Sequence, residues 1–418
     1  MENRLQDVNG QGVWQTCRVY PVTVDEIRAA RELLREVAVV TPLLQSRHLS
    51  ELVGGPVYLK CENMQRTGSF KIRGAYVRIS RLTDAERARG VVAASAGNHA
   101  QGVALAAQML GCKATVFMPE GAPLPKVEAT RAYGAEIVFQ GPTVDGCLEA
   151  ARAYAEEKDA VYIHPFDHPD IVVGQGTIGL EILEQCPSVR TIVAPVGGGG
   201  LIAGLAASRP PGSGPTIGVQ AKRAAAFPPS LALGRPLSVE TGPTMADGIA
   251  VGRPGELTFD LVSKLVSSVV TVTEESLSKA LLICLERAKQ VVEPAGAAGV
   301  AAILEHTYAF EPPVVAVLSG GNIDPLLLSK VLQHGLAVAG RYLVVRCRLT
   351  DRPGALVTLL SELAELRVNV LDVMHERVAA RLHLEEAEVL LHLETRGPEH
   401  CDEVIGRLRK RGYTLTFD

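Results

Sequence analysis

The chain has 418 residues, enough for two to three domains with a large buried core, which excludes a small, a disordered or a fibrous protein. Hydrophobic residues make up 47% and charged residues 21%, and 42 basic against 46 acidic side chains give a net charge of −4. With no long apolar segment and no block of like charge, the sequence predicts a cytoplasmic protein that binds neither nucleic acid nor a membrane.

The cysteines and glycines narrow the class further. The eight cysteines are Cys17, Cys61, Cys112, Cys147, Cys186, Cys284, Cys347 and Cys401. They lie far apart without metal-ligand spacing, so we expect reduced, buried thiols. Forty glycines and only 4% aromatic residues are typical of α/β proteins that make tight strand-to-helix turns and bind phosphate groups there.

After a polar tail to about Val19, strands and helices are predicted in alternation, which is typical of parallel sheets with right-handed crossovers. Strands are predicted at 57–60, 91–95, 114–118, 136–139, 161–164, 191–196, 216–220, 268–272 and 314–318. Helices are predicted at 24–36, 100–110, 126–133, 148–158, 176–185, 201–208, 274–290, 294–306 and 325–336, and the Pro-rich segment 227–243 is expected to be a loop.

The chain changes character after residue 340. Strands are predicted at 342–349, 369–377, 388–393 and 413–417, and helices at 353–366 and 399–410, with Asp351 as the expected cap of the first helix. The order βαββαβ is that of a ferredoxin-like module. We therefore predict three domains: a large one formed by 1–64 and 165–340, a small one inserted at 65–164, and a C-terminal one at 341–418.

Four consecutive glycines, Gly197, Gly198, Gly199 and Gly200, follow one predicted strand and precede a helix. Their amides can converge at the helix N-terminus, where the dipole adds positive potential, so the pattern predicts a phosphate site. An ordinary tight turn needs one or two glycines rather than four. No Lys-Ser/Thr pair follows, which excludes a P-loop, and the next strand ends without an acid, which disfavours NAD or FAD.

A second motif is the segment 67–75, which reads TGSFKIRGA. Ser69 is predicted to cap a helix whose first turn holds Lys71, where the dipole lowers the pKa of the amine and favours a neutral nucleophile. A lone lysine is more commonly a solvated charge. A phosphate site in the same chain favours Schiff-base chemistry at Lys71.

A third motif is the turn formed by Ser95, Ala96, Gly97, Asn98 and His99, directly after a predicted strand. Small residues at the carboxyl end of a strand leave amides free, and two of these side chains add donors, a set that suits a carboxylate. The alternative is an ordinary capped turn in which the histidine is a packed side chain. The segment 164–169 (HPFDHP) is predicted to be a structural loop rather than a metal site.

At these three motifs the sequence resembles the threonine dehydratase (threonine ammonia-lyase) and serine racemase branch of the fold-type II pyridoxal phosphate enzymes. Segments 245–250, 293–296 and 318–322 extend the resemblance over about residues 24–340. The C-terminal module, with DRPGAL at 351–356, resembles an ACT regulatory domain. The resemblance implies an α/β fold, with a two-domain body like that of the tryptophan synthase β-subunit followed by a ferredoxin-like ACT domain.

By this resemblance the cofactor is pyridoxal 5'-phosphate, and Lys71 is the catalytic residue that binds it as a Schiff base. The other implied cofactor contacts are Phe70 against the ring, Asn98 at the ring hydroxyl, Gly197 to Gly200 with the backbone of Leu201 at the phosphate, and Ser319 at the pyridine nitrogen. The turn 95–99 is expected to hold the substrate carboxylate. A hydroxyl does not keep the ring nitrogen fully protonated, so Ser319 favours β-elimination over transamination.

The implied reaction converts L-threonine to 2-oxobutanoate and ammonia, with side activity on L-serine and Lys71 as the base at Cα. The alternatives are an L-serine dehydratase, a serine racemase and a non-catalytic amino-acid sensor. Racemases of this branch have a second serine where this chain has Ala96, so racemisation is expected to be poor.

Metal-binding members have acids in the segment aligned with 220–226, which here reads QAKRAAA, so no metal is expected. The resemblance also implies a homodimer or homotetramer. In it an amino-acid effector such as isoleucine or valine acts through the ACT module.

Overall fold

The computed structural model describes residues 22–307, 310–377 and 382–417; the predicted polar tail and Cys17 lie outside these ranges. The strands are β1 Leu43–Gln45, β2 Val57–Lys60, β3 Val91–Ala94, β4 Ala114–Met118, β5 Glu136–Phe139, β6 Val161–Tyr162, β7 Thr191–Pro195, β8 Thr216–Ala221, β9 Ser268–Val272, β10 Val314–Val317, β11 Tyr342–Thr350, β12 Asn369–Glu376, β13 Glu386–Glu394 and β14 Thr414–Thr416.

The helices alternate with these strands in chain order. They are α1 Val24–Leu33, α2 Arg47–Val53, α3 Lys71–Ser80, α4 Asp84–Arg89, α5 Asn98–Met109, α6 Leu124–Ala132, α7 Val144–Lys158, α8 Pro169–Gln185, α9 Gly200–Ala207, α10 Phe227–Leu233, α11 Glu256–Leu265, α12 Glu274–Ala288, α13 Ala298–Glu305, α14 Pro325–Val338, α15 Ala355–Glu365 and α16 Pro398–Lys410.

The larger of two parallel sheets has six strands in the order β1-β2-β10-β7-β8-β9, with only β1 antiparallel to its neighbour. Both faces of this sheet are buried. Val193 belongs to the core under α12 and α13, whereas the adjacent Ile192 belongs to the core under α8 and α9. Because side chains alternate between the faces of a strand, a sheet covered on both sides has continuously hydrophobic strands.

The smaller sheet is entirely parallel, in the order β5-β4-β3-β6, and all its strands come from residues 91–162. Its apolar core continues into α3, α5 and the N-terminal α1, through Ile72, Val103 and Ile27. The predicted α/β class and the βαβ alternation are confirmed. The division of the body into two domains at residues 64 and 164 stays a prediction.

The C-terminal module has its own antiparallel sheet in the order β12-β13-β11-β14, and α15 and α16 contribute to the core on one face. This arrangement is the predicted βαββαβ fold. One detail was wrong, because Gly354 rather than Asp351 precedes α15 as its N-cap. The module begins at Gly340, whose carbonyl accepts hydrogen bonds from Thr395 Oγ1 (2.8 Å) and the Gly397 amide (3.0 Å).

Several element boundaries differ from the prediction for local reasons. The helix predicted at 294–306 begins only at Ala298, since the Glu293 amide donates to the Gly320 carbonyl (3.0 Å) and holds the intervening turn against another loop. The predicted loop 227–243 begins with a helix that tolerates Pro228 and Pro229 in its first turn. The short elements β1, α2, α4 and α11 were not predicted.

Helix α8 is one turn or more longer than predicted because its glycines serve packing. A Cβ at Gly174 would lie 2.6 Å from Gly74 Cα on α3, and a Cβ at Gly204 on α9 would lie 2.6 Å from Gly176 N. These glycines let three helix backbones approach closely, so they do not interrupt the helix.

A buried ionic network joins α3, α8 and the segment after β2. Arg73 donates to Glu62 (2.9 Å) and to Glu181 (2.7 Å), and Lys60 donates to Glu181 (2.5 Å). Burial by itself lowers the pKa of Arg73, but the two carboxylates raise it overall. All four side chains are buried, so the charges depend on one another for compensation.

The cysteines in the described ranges are free thiols. The six from Cys61 to Cys347 are buried as predicted, whereas Cys401 is only partly buried, with Sγ 3.3 Å from the Gly340 carbonyl. Among the described residues, every helix is too short or too polar to cross a lipid bilayer.

Candidate active site

The carboxyl ends of β3, β7 and β10 open onto one cleft of about 1120 Å³ between the two parallel sheets. Every candidate site residue from the sequence lines it. These residues are Phe70, Lys71, Ser95, Ala96, Gly97, Asn98, His99, Gly197, Gly198, Gly199, Gly200, Leu201 and Ser319. Clefts at the carboxyl ends of parallel strands are the usual ligand sites of α/β proteins.

Lys71 is the first residue of α3, and its amine reaches into the cleft. Nζ donates to the Pro165 carbonyl (2.9 Å) and lies 5.2 Å from the centre of the Phe70 ring. Burial lowers the pKa of Lys71 to about 8, and the carboxyl group of Glu293 opposes this shift. A substantial fraction of the amine is therefore neutral near physiological pH.

The predicted cap of this helix was wrong. The N-cap is Phe70, while Ser69 has extended backbone and forms an antiparallel bridge with Gly320. The Ser69 hydroxyl is buried and has no hydrogen-bond partner among the described residues. Pairing with the segment after β10 thus replaces the side-chain cap.

The four-glycine loop enters α9 with Gly199 in the left-handed region, at φ +103°. Side chains would not fit here: a Cβ at Gly199 would lie 2.8 Å from Phe227, and one at Gly198 would overlap the Phe166 ring. Within the described ranges, the amides of Gly198, Gly199 and Gly200 donate to no protein acceptor. The loop is therefore a cradle of free donors at a helix N-terminus.

Two side chains that the sequence did not indicate hold this loop in place. Thr258 Oγ1 donates to the Gly198 carbonyl (2.6 Å), and the Asp167 carboxylate accepts from the amides of Glu256 and Thr258 (both 3.1 Å). Asp167 thus ties the 164–169 segment to the start of α11. No local sequence pattern predicts this, because the partners are about ninety residues apart.

The turn after β3 leads directly into α5, which begins at Asn98. Ser95 Oγ accepts from the Gly97 amide (3.1 Å). His99 is only 4% exposed, its Nε2 lies 2.9 Å from the Ile163 carbonyl, and burial lowers its pKa to about 3. The histidine is packed and neutral, so the small residues and amides of the turn are what face the cleft.

Ser319 lies at the end of β10 and is 4% exposed. Its carbonyl accepts from the Phe70 amide (3.2 Å), and the Gly321 amide donates to the Gly68 carbonyl (2.8 Å). The segment that leads into Lys71 therefore runs antiparallel to the segment that carries Ser319. This pairing fixes the two on the same side of the cleft.

A buried carboxyl group also lines the cleft. Glu293 is 4% exposed, and burial raises its pKa to about 7, while the charge of Lys126 opposes the shift. Lys126 in turn lies 3.3 Å from Asp247, across the cleft. The sequence resemblance included segments 293–296 and 245–250 without assigning roles to these residues, because their partners come from other parts of the chain.

The histidines of the 164–169 segment serve structure. His164 Nδ1 accepts from the amides of Phe166 (3.2 Å) and Asp167 (2.7 Å), and His168 Nδ1 accepts from the Asp170 amide (3.1 Å). Within the described ranges, no group of three or more His, Cys, Asp or Glu side chains is placed to hold a metal ion.

Comparison with known proteins gives concordant matches. Residues 34–320 match the family described as pyridoxal-phosphate dependent enzymes. The chain is 48% identical to an L-threonine ammonia-lyase of Thermotoga maritima over 397 residues, covering 94% of this chain and 99% of the relative. It is 43% identical to a catabolic L-threonine dehydratase of Escherichia coli K12 over 319 residues, covering 75% of this chain and 96% of the relative.

Solved structures agree with this. A threonine deaminase from the organism abbreviated T.th. superimposes with a TM-score of 0.69 at 43% identity, covering 72% of this chain and 99% of that one. Maize serine racemase superimposes with a TM-score of 0.71 at 35% identity, covering 76% and 99% of the two chains.

Proposed function

Because the chain belongs to the family of pyridoxal-phosphate dependent enzymes, we propose that it is an L-threonine ammonia-lyase that forms 2-oxobutanoate and ammonia and also acts on L-serine. One observation carries the proposal: a lysine amine with a lowered pKa lies in the same cleft as a cradle of free amides and a carboxylate-binding turn. The relatives' names, at 48% identity over nearly the whole chain, support threonine as substrate.

The residues of the cleft fit the cofactor. The loop Gly197 to Gly200, with the Leu201 amide, offers unpaired donors and space that a Cβ would fill, as a phosphate requires. Lys71 supplies the amine for a Schiff base, and Phe70 lies beside that amine. Ser319 offers a hydroxyl rather than a carboxylate to the ring nitrogen, which favours elimination.

When bound, pyridoxal phosphate supplies a conjugated ring that withdraws electrons from Cα of the amino acid. The amides and hydroxyl of the turn 95–99 hold the substrate carboxylate and so fix which bond at Cα is broken. Lys71, once its amine is free and neutral, takes the Cα proton. The β-hydroxyl then leaves, and hydrolysis yields the keto acid and ammonia.

The C-terminal module is proposed to be an ACT domain that regulates this reaction. The match with the Escherichia coli dehydratase spans 319 residues, whereas that with the Thermotoga enzyme spans 397 and includes much of the module. The catalytic body is thus found with and without this addition, as expected of a regulatory domain. The enzyme is proposed to work in the cytoplasm as a homodimer or homotetramer whose module binds an amino-acid effector.

The test is to purify the enzyme with its cofactor and compare kcat/KM for L-threonine and L-serine by keto-acid formation. We expect threonine to be preferred, by no more than roughly 10- to 200-fold, since one methyl group is the difference. A preference for serine would make the protein a serine dehydratase. Cofactor binding without turnover of either amino acid would favour the sensor.

A further inference from the structure

Asn98 projects from the first turn of α5 into the cleft, where its amide group can present either an oxygen or an N–H group to a ligand. The two faces of such an amide have nearly the same shape but opposite hydrogen-bonding character. The surroundings must therefore decide which face is presented, and at Asn98 they do so through two side chains.

Asn322 holds the oxygen of Asn98. Asn322 Nδ2 donates to Asn98 Oδ1 (2.8 Å) and also to the Thr67 carbonyl (2.6 Å), so both of its N–H groups are used. Thr67 has φ +63°, an uncommon conformation for a residue with a Cβ. The Asn322 side chain thus bonds to this strained residue and to Asn98 at once.

Glu293 holds the nitrogen of Asn98. Asn98 Nδ2 donates to Glu293 Oε1 at 2.6 Å. The carboxyl group is itself fixed, because the Glu293 amide donates to the Gly320 carbonyl (3.0 Å) and the side chain lies against Gly320, where a Cβ would overlap it. A reversed Asn98 amide would put its N–H groups against those of Asn322 and its oxygen against the carboxyl oxygen.

We propose that Asn322 and Glu293 are positioning residues that fix the Asn98 amide so that its second N–H group faces the cofactor. Among the described residues, nothing accepts that second N–H, and the neighbouring side chains line the same cleft. The proposal rests on the proposed function only in that it takes the ring hydroxyl of pyridoxal phosphate as the acceptor. A donor at that oxygen stabilises its ionised form.

The experiment compares Asn98→Ala, Asn322→Asp and the double variant, each prepared with cofactor. The ratio of the two absorption bands of the bound cofactor reports how much of the ring hydroxyl is ionised, and equilibrium dialysis gives the cofactor Kd. Both single variants should shift the ratio toward the neutral form by about tenfold, as the loss of one hydrogen bond predicts. The double variant should be no worse than either.

Asn63→Asp is the matched control. Asn63 also donates through Nδ2 to a side-chain oxygen, of Gln290 (2.9 Å), and to a carbonyl, of Val291 (3.1 Å), but neither bond involves Asn98. This control should keep the spectral ratio of the unmodified enzyme. An equal shift in the control, or additive shifts in the double variant, would overturn the role of Asn322.

Glu293 is tested by a conservative pair that also serves if Asn322→Asp does not fold. Glu293→Gln keeps an oxygen that can accept from Asn98, whereas Glu293→Met has none. The Gln variant should retain the spectral ratio and the Met variant should shift it; equal behaviour of the two would refute the role of Glu293. These measurements need no substrate, so they hold whichever amino acid is turned over, while an unmodified enzyme without any cofactor band would contradict the proposed function itself.

Discussion

At Lys71 two effects act on one amine. The sequence places it in the first turn of a helix, where the dipole opposes a positive charge. The tertiary structure adds burial in the cleft, which lowers its pKa to about 8. Burial also explains why the nearby carboxyl of Glu293 has its pKa raised to about 7, since a low-polarity site disfavours both charges.

The first prediction concerns formation of the Lys71 Schiff base. Only the neutral amine is nucleophilic, and it predominates above its pKa. Reconstitution of the cofactor-free protein should therefore slow about tenfold per pH unit below about 8 and level off above it. The measurement is the growth of the cofactor absorption band after mixing at different pH values.

Lys71→Ala is the control for this prediction. It should form no borohydride-reducible adduct and retain at most a few percent of activity. A reducible adduct in this variant would mean that another lysine binds the cofactor.

Ala96 carries the second prediction, on the stereochemistry of the reaction. The related racemases have a serine here, and Ala96 lines the cleft on the carboxylate-binding turn. Ala96→Ser should add an acid/base group and give measurable D-serine from L-serine, read by chiral chromatography. Ala250→Ser, on the same cleft, should give none. Equal D-serine in both variants, or in neither, would refute the role assigned to this position.

At the scale of elements, the cleft depends on turns that only glycine permits and on helices held by buried charges. The loop before α9 fits between Phe166 and Phe227 because it lacks side chains. Helix α3, which carries Lys71, is held against α8 by the network of Arg73, Glu62 and Glu181.

The third prediction is that Gly198→Ala weakens cofactor binding. The added methyl would overlap the Phe166 ring, and either the ring or the phosphate-binding amides must move. The cofactor Kd should rise by roughly ten- to a hundredfold. Gly406→Ala, on α16 with open space around it, should leave the Kd unchanged, and a comparable loss there would point to a nonspecific effect.

The fourth prediction is that Arg73→Met destabilises the fold. Glu62 and Glu181 would lose their shared guanidinium, and an uncompensated buried carboxylate costs about 3–5 kcal/mol. Urea denaturation of the two proteins measures the difference. Arg47→Met removes an exposed pair with Glu51 (2.8 Å) and should cost less than about 1 kcal/mol; similar costs for the two would show that the buried network adds no stability.

At the scale of the whole molecule, the C-terminal module has its own sheet and core and is joined to the body at one place. Thr395 and the amide of Gly397 bond to the Gly340 carbonyl, and Arg341 pairs with Glu286 of α12 (2.5 Å). No module residue lines the catalytic cleft among those described. Its influence on catalysis must therefore pass through that junction or through subunit contacts.

The fifth prediction concerns truncation after Gly340. Basal formation of 2-oxobutanoate should survive, because the cleft is built entirely from the body. Any response to isoleucine, valine or another small amino acid, expected to be roughly 5- to 150-fold in affinity, should vanish. Steady-state kinetics with and without each amino acid measure this. An identical response in the truncated enzyme, or no response in the full chain, would contradict the regulatory role.

The sequence by itself determined the fold class, the parallel and ferredoxin-like sheet orders, and the residues of the cleft. The glycine loop and the turn 95–99 were identifiable because their function depends on local backbone geometry, which a run of small residues after a strand encodes directly. The same held for Lys71 at the start of its helix.

Tertiary structure decided what depends on distant partners. Ser69 pairs with Gly320 instead of capping α3, and Glu293 has its helix delayed to Ala298 by the same loop. The contacts of Asn98 with Asn322 and Glu293 join residues about two hundred positions apart. Local periodicity carries no information about such pairs, because burial and hydrogen bonding across the cleft arise only when the two sheets and their loops are brought together.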